Sequence, residues 1–294
     1  MSPDVEPTVS DSASPPGRLY VVGTPIGNLE DVTLRAIRVL REVDAIACED
    51  TRRTGHLLDH FGIPTPTVSY HNHNELTRAA ELIVRMEDGE NIALVSDAGM
   101  PLISDPGHRL VKLAVRHGIP VIPVPGPSAL VATLAAAGLA VDEFRFVGFL
   151  PSKRLARQRF LQRLKDEGAV VFYEAPHRLL ESLEDVLKLL GDRPLVLARE
   201  LTKLHEEFLR GPVSEVLHRL KRRPVKGEVT VLLGAAEEGS RRSALPERSI
   251  QEDLDQTMAE QGIDERAALK AVAKARGISK SEAYRQWQSQ KGLV

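Results

Sequence analysis

NIALVSDAGMP, residues 91–101, carries a short apolar run into a loop of small residues. Ile92 to Ser96 reads as a buried strand, and Asp97, Ala98, Gly99, Met100 and Pro101 break it. A second turn follows at Ser104-Asp105-Pro106-Gly107, and a helix begins near His108. An apolar strand ending in such a loop before a helix is how an open α/β sheet forms a ligand crevice, at the carboxyl ends of its strands. Gly lets a ligand approach the backbone closely, and Pro stiffens the turn.

The pattern repeats to either side. Leu19 to Val22 is an apolar strand that ends in Gly23-Thr24-Pro25-Ile26-Gly27-Asn28. Asp31 then reads as the cap of a helix with Val32, Ala36, Ile37 and Leu40 as its apolar stripe. Asp44 to Cys48 is a strand, Gly55 to Phe61 a helix, Thr67 to Tyr70 a strand and Glu75 to Glu87 a helix. Past the central loop come a helix from His108 to His117 and a strand from Ile119 to Val124. Pro125-Gly126-Pro127-Ser128 opens an Ala-rich helix that runs to Gly138. Such βα repetition implies a largely parallel sheet. The loops 23–28, 97–101 and 125–128 then share one edge of it. GTPIGN is not the dinucleotide fingerprint, because the later glycines with specific jobs there are missing.

The second half is organised differently. Val147-Gly148-Phe149-Leu150-Pro151 reads as a linker, followed by a basic helix from Ser152 to Glu167. Strands at Ala169–Tyr173, Leu195–Ala198, Glu206–Leu209 and the run EVTVLL have fewer helices between them, so a mixed sheet is expected. Residues 235–247 read as a linker. Helical spacing resumes over Ile250–Glu260 and Asp264–Ala275, Gly277 breaks it, and Ser279 with Glu282 makes a capping box for a last helix bearing Tyr284 and Trp287. The expected division is a disordered tail over 1–17, a parallel-sheet α/β domain over 18–148 and a second α+β domain over 149–235. A linker and a helical C-terminal domain occupy 236–294.

Composition sets outer limits. The chain has 294 residues, which favours two domains, and only 4% are aromatic, so the cores must be aliphatic. No run of about 18 apolar residues suggests a membrane span. The polar, Pro-rich start is not a secretory signal, and the single Cys48 fits a reducing cytoplasm. A net charge of −2 means that any nucleic-acid surface is local.

The segments GTPIGNLEDVTLRA, CEDTR, YHNHNE, SDAGMPLISDPG, PGPSA, YEAPHR and ARELTK occur in that order. Together they resemble the ribosomal RNA small-subunit methyltransferase I family, a branch of the tetrapyrrole methylase superfamily. The resemblance covers about residues 18–294. It implies a tetrapyrrole-methylase-like fold of two α/β domains, with S-adenosylmethionine in the cleft between them and a homodimer as the assembly. It also implies 2′-O-methylation of a cytidine ribose in the decoding region of small-subunit rRNA. The superfamily's first loop commonly ends in Asp, whereas this one ends in Asn28.

S-adenosylmethionine carries a sulfonium, an ammonium and a carboxylate. Asp97 is placed to pair with the amino group, Met100 and Ile103 to pack on the adenosyl part, and Ser128 to fix the far end. Pro25 and Gly99 border the same cleft from their loops, and Tyr173 closes it from the second domain. A ribose hydroxyl is a poor nucleophile near neutral pH, so a base or a nearby cation helps. Glu49, Asp50, His71, His73, Glu174, Glu200 and Lys203 all lie at predicted strand ends, and the sequence does not choose among them. Arg52, Arg53, Arg178 and Arg199 are candidates for phosphates around the target nucleotide. Arg154 and Arg157, on the basic helix, are candidates for RNA contact, as are the run 219–226 and the C-terminal helices. His71 and His73 lack a third ligand, so no metal is expected. Two other functions fit the same pattern: a precorrin-type small-molecule methylase, and a non-catalytic ribosome-assembly factor that keeps a cofactor pocket.

Overall fold

A computed structural model describes residues 15–223, 225–235, 250–276 and 279–290. Two compact units divide the chain at 235/236.

Five short strands build the first sheet: β1 (Leu19–Val22), β2 (Ala45–Cys48), β3 (Thr67–Ser69), β4 (Ile92–Leu94) and β5 (Val121–Val124). Their order is β3-β2-β4-β1-β5, and every pairing is parallel. Helices α1 (Leu34–Glu42) and α2 (Thr51–His60) cover one face, and α3 (Glu75–Glu87) and α4 (His108–Arg116) the other. The central strand shows why both faces fill. Ile92 and Leu94 pack with α3 and α4, while Ala93 and Val95 pack with α1 and α2, as the two-residue strand period requires. The strand NIALVS is therefore real but shorter than its sequence suggests. After Leu94 the backbone leaves the ladder, with Val95 N–H still donating to the Ala47 carbonyl at 2.9 Å.

Next come α5 (Ala129–Ala136), β6 (Phe144–Phe149), α6 (Arg154–Gln162), β7 (Ala169–Glu174), α7 (Pro176–Leu190) and β8 (Pro194–Arg199). They are followed by β9 (Glu207–Pro212), α8 (Val213–Arg222) and β10 (Val229–Leu233). The second sheet has the order β6-β7-β10-β8-β9. Its β6–β7 pair is parallel and the rest are antiparallel, the mixed sheet expected. Helices α6, α7 and α8 fill one face of it. The other face packs on Leu130, Leu134 and Ala137 of α5 and its C-cap, against Val171, Val196 and Leu232.

This second packing moves the expected boundary. Val147-Gly148-Phe149 is not a linker but the end of β6, already paired with β7. The Gly148 backbone sits at φ +65°, where the β6–β7 register slips, and that irregularity is what reads as a break in sequence. The cross-packing of α5 makes residues up to 235 one unit.

Three helix starts also differ. Residues 29–31 form a 3-10 turn, and α1 is capped by Thr33, whose hydroxyl accepts the Ala36 N–H at 3.0 Å, not by Asp31. Helix α2 starts at Thr51 because the Asp50 carboxylate caps Arg52 N–H at 2.9 Å, and the buried Leu57 and Leu58 offset the internal Gly55. Helix α6 is shorter than its basic run. Of the expected tail, Gly17 is docked, its N–H donating to the Met86 carbonyl at 2.7 Å. Residues 1–14, the linker from 236, Gly277 and the side chain of Glu282 lie outside the described residues.

The second unit has α9 (Ile250–Gln261), α10 (Glu265–Arg276) and α11 (Lys280–Gln290) around Leu254, Leu269, Val272 and Trp287. The Trp287 indole N–H donates to Gln251 Oε1 at 2.7 Å, so its one polar atom is satisfied within the core. Among the described residues no helix is long and apolar enough to cross a membrane.

Candidate active site

Parallel strands bring the three Gly- and Pro-rich loops to one edge, and hydrogen bonds lock them together. Thr24 and Gly99 exchange N–H···O bonds in both directions at 3.0 Å. The Thr24 hydroxyl donates to the Ser96 carbonyl at 3.2 Å. A Cβ on Gly23 would stand 2.7 Å from the Cα of Gly126, so the first and third loops touch only because both residues are glycine. The second sheet supplies the facing edge. Val229 pairs with both Glu174 and Arg199, which aligns the ends of β7 and β8 with the start of β10.

Two adjoining cavities lie between these edges. The larger, about 370 Å³, is walled by Gly99, Met100, Ile103, Ser128 and Tyr173, five of the seven residues expected to bind cofactor. The smaller, about 300 Å³, takes in the other two, Pro25 and Asp97. Ile26, Ala98 and Glu228 border both. Pro25 and Asp97 each precede one of these shared residues and face the smaller space, whereas Gly99 follows Ala98 and faces the larger. Asp97 is also engaged: Oδ1 accepts the Asp50 N–H at 3.1 Å, and Oδ2 pairs with Arg53 at 3.2 Å. Asp97, expected to pair with the cofactor's amino group, thus stands in the smaller cavity with both carboxylate oxygens engaged.

Asp105, which the sequence reading passed over, lines the larger cavity. Burial, with the charges of Glu49 and Asp97 added, pushes its carboxyl up to about 6. A carboxyl raised in this way in a cavity suits a cationic ligand. Tyr173 is held by edge contacts with Phe146 and Phe149, at 5.1 and 5.6 Å between ring centres, and burial raises its hydroxyl. Small and apolar walls, the Tyr173 phenol and the carboxyls of Asp105, Glu174 and Glu228 fit the adenosyl group and sulfonium of S-adenosylmethionine.

The base candidates separate by what already holds them. Glu174 is 2% exposed, with Oε1 accepting from Ala175 N–H at 2.8 Å and pairing with Arg178 at 2.6 Å. Its Oε2 accepts from the Ser182 hydroxyl at 2.6 Å. It anchors the start of α7, where Pro176 sits in the first turn, and is no free base. Glu200 accepts from the Lys203 ammonium and the Glu228 N–H, both at 2.9 Å, and the Lys203 bond holds its carboxyl below the usual range. Burial opposes the Lys203 charge, but the bonds to Glu200 and Glu228 outweigh it and keep the ammonium above its usual range. Lys203 is thus a fixed cation. Glu49 lines neither cavity; burial and then the Asp97 charge raise its carboxyl.

The arginines divide too. Arg52, Arg53 and Arg154 are largely exposed, pairing with Asp50, Asp97 and Asp185. Arg157 is 0% exposed and pairs with the buried Asp185 of α7 at 2.8 Å, so its assignment to RNA is corrected. The inner face of α6 meets an acid from another helix, which sequence spacing does not show. Arg178 and Arg199 are also turned inward, onto Glu174 and Glu207. Sequence reading also missed Glu228, for which the only signal was its position before a strand.

This fold is that of a methylase class. The family model for Tetrapyrrole (Corrin/Porphyrin) Methylases matches residues 18–217. The chain resembles the uroporphyrin-III C-methyltransferase of Thermus thermophilus solved with S-adenyl homocysteine, at 22% identity over 74% of this chain and 97% of that one, TM-score 0.54. It also resembles a cobalt precorrin-4 methyltransferase, at 17% identity over 74% and 94%, TM-score 0.56. Sequence relatives are much nearer. A protein of Halalkalibacterium halodurans is 47% identical over 91% of this chain and 93% of its own length. One of Escherichia coli O157:H7 is 45% identical over 94% and 96%. One of Thermotoga maritima is 50% identical over its whole length, which takes 75% of this chain. All three are named ribosomal RNA small subunit methyltransferase I, and this chain belongs to that family.

Proposed function

We propose that this chain transfers the methyl group of S-adenosylmethionine to small-subunit ribosomal RNA, at the 2′-hydroxyl of a cytidine in the decoding region. The observation that carries the reading is the 43–50% identity over most of the chain to relatives that share one name. The larger cavity supports the cofactor. Gly99, Met100, Ile103, Ser128 and Tyr173 hold it, and Asp105 answers its positive charge. S-adenosylmethionine supplies a methyl group on a sulfonium. The protein has to exclude water, place the hydroxyl in line and accept its proton. Alignment supplies several kcal/mol of such a barrier. Exposed Arg52, Arg53 and Arg154 are the RNA-facing cations of the earlier set. A homodimer belongs to the same reading and rests on the family resemblance, and a cytoplasmic place rests on that resemblance and on the single Cys48.

The test uses purified protein, S-adenosylmethionine with an isotopically labelled methyl, and small subunits from cells lacking the protein. The rRNA is digested and its nucleosides weighed. Label on a cytidine ribose is expected. Cofactor binding with no label on subunits or free rRNA would favour the assembly-factor alternative, and label on a tetrapyrrole would favour the small-molecule one.

A further inference from the structure

A methyl acceptor must stand in line with the bond that breaks, so its subsite has to adjoin the cofactor. Among the described residues the smaller cavity meets that condition, through the shared walls Ile26, Ala98 and Glu228. It is a joint product of both sheets. The stem of Lys203, from the second, lies against the backbone of Gly27, from the first, where a Cβ would run into its Cγ and Cε. Its ammonium ends between Glu200 and Glu228, at 2.9 Å from each. Its lining is mixed in a useful way. Pro25, Leu29 and Leu57 offer apolar surface, and His56, Arg53 and Lys203 offer donors. Leu29 is 39% exposed, and His56 is exposed on the first turns of α2.

We infer that the smaller cavity is the acceptor subsite, which takes one unstacked nucleotide of single-stranded RNA beside the Lys203–Glu228 pair. Apolar walls with a few donors suit a splayed base and its sugar-phosphate, the form in which single-stranded RNA is usually read. Lys203 and Glu228, fixed at the junction, orient the ribose toward the larger cavity. This inference rests on the reading that the larger cavity holds S-adenosylmethionine.

Two variants test it in the full chain. Leu29→Trp fills the smaller cavity without changing charge, and His56→Ala removes an exposed donor. Calorimetry with S-adenosylmethionine and methyl transfer to unmodified small subunits are measured for each, with melting curves to check the fold. The expected result for Leu29→Trp is an unchanged cofactor Kd with kcat/KM toward RNA down about 100-fold, the order of loss that misplacing a reactant causes. A smaller loss of the same kind is expected for His56→Ala. Wild-type kcat/KM in both variants overturns the inference. So does loss of cofactor binding in folded Leu29→Trp, because the smaller cavity would then serve the cofactor. Failure of the wild-type protein to bind S-adenosylmethionine removes the underlying reading instead.

Discussion

Replacing Arg157 separates a surface grip on RNA from a buried support, because the two roles predict different losses. Arg157 is 0% exposed and Asp185 1%, and their side chains pair at 2.8 Å, with Gln158 donating to the same carboxylate at 2.7 Å and Arg154 at 3.4 Å. Against burial, the Gln158 and Arg157 bonds hold the Asp185 carboxyl below its ordinary range, so it stays charged in the fold. Arg157→Met removes the chief counter-charge from an ion already out of water. Breaking one partner of a buried pair costs about 3–5 kcal/mol. For a unit of this size each kcal/mol lowers Tm by about 2–4 °C, so a drop of about 6–20 °C is expected. Thermal unfolding followed by circular dichroism reads it directly. The double variant Arg157→Met/Asp185→Leu should recover most of the loss, since an apolar pair of similar volume replaces a buried ion pair at little cost. RNA affinity of Arg157→Met, measured below its Tm at several salt concentrations, should keep the wild-type slope. A phosphate contact would instead flatten log K against log salt by about 0.7–0.9. A Tm within about 2 °C of wild type together with a flatter slope would refute the structural role.

Asp105 gives a pH test whose sign follows from its raised carboxyl. The unfolded chain ionises near 3.8 and the fold near about 6, so the penalty for ionising is absent below the lower value and complete above the upper. Asp105→Asn should therefore raise Tm at about pH 8 and leave it unchanged at about pH 3, and a gain at both would sink the assignment. Binding of S-adenosylmethionine near pH 6 should release protons, seen by calorimetry in buffers of differing ionisation enthalpy, because a bound cation favours the carboxylate. Glu174→Gln should lower Tm through its bonds to Ala175, Arg178 and Ser182, about 1.5–3 kcal/mol for each charged bond weakened, while the pH–rate profile keeps its shape. A lost limb in that profile would restore Glu174 as the base. Gly27→Ala should displace Lys203 and lower kcat/KM toward RNA, with cofactor Kd unchanged; wild-type kinetics would show that the Lys203 strap has no role. Deleting residues 236–294 should leave cofactor affinity intact, since both cavities lie in the first unit.

The central strand and its loop carried most of the legible information. Period-two burial at Ile92–Val95 and the repeated Gly/Pro loops after β1, β4 and β5 required a parallel sheet with a crevice at one edge. That requirement is local: each strand, loop and helix is specified by residues within a few positions of one another. For the same reason the long ordered motifs identified the family. Helix starts were less legible, because Thr33 and Asp50 compete with neighbouring residues of similar capping power.

What tertiary structure decided was which side chains meet across long separations. No spacing rule shows that Arg157 faces Asp185 twenty-eight positions away, or that Lys203 lies on Gly27 from the other sheet. Nor does one divide Pro25 and Asp97 from Gly99 and Tyr173 between two cavities. Sequence by itself determined the layers, the crevice and the chemistry gathered at the strand ends, because those follow from periodicity and turn residues. Whether a charged group there is free to act or already bound by a partner depends on helix packing and sheet register, which set partners in space rather than along the chain.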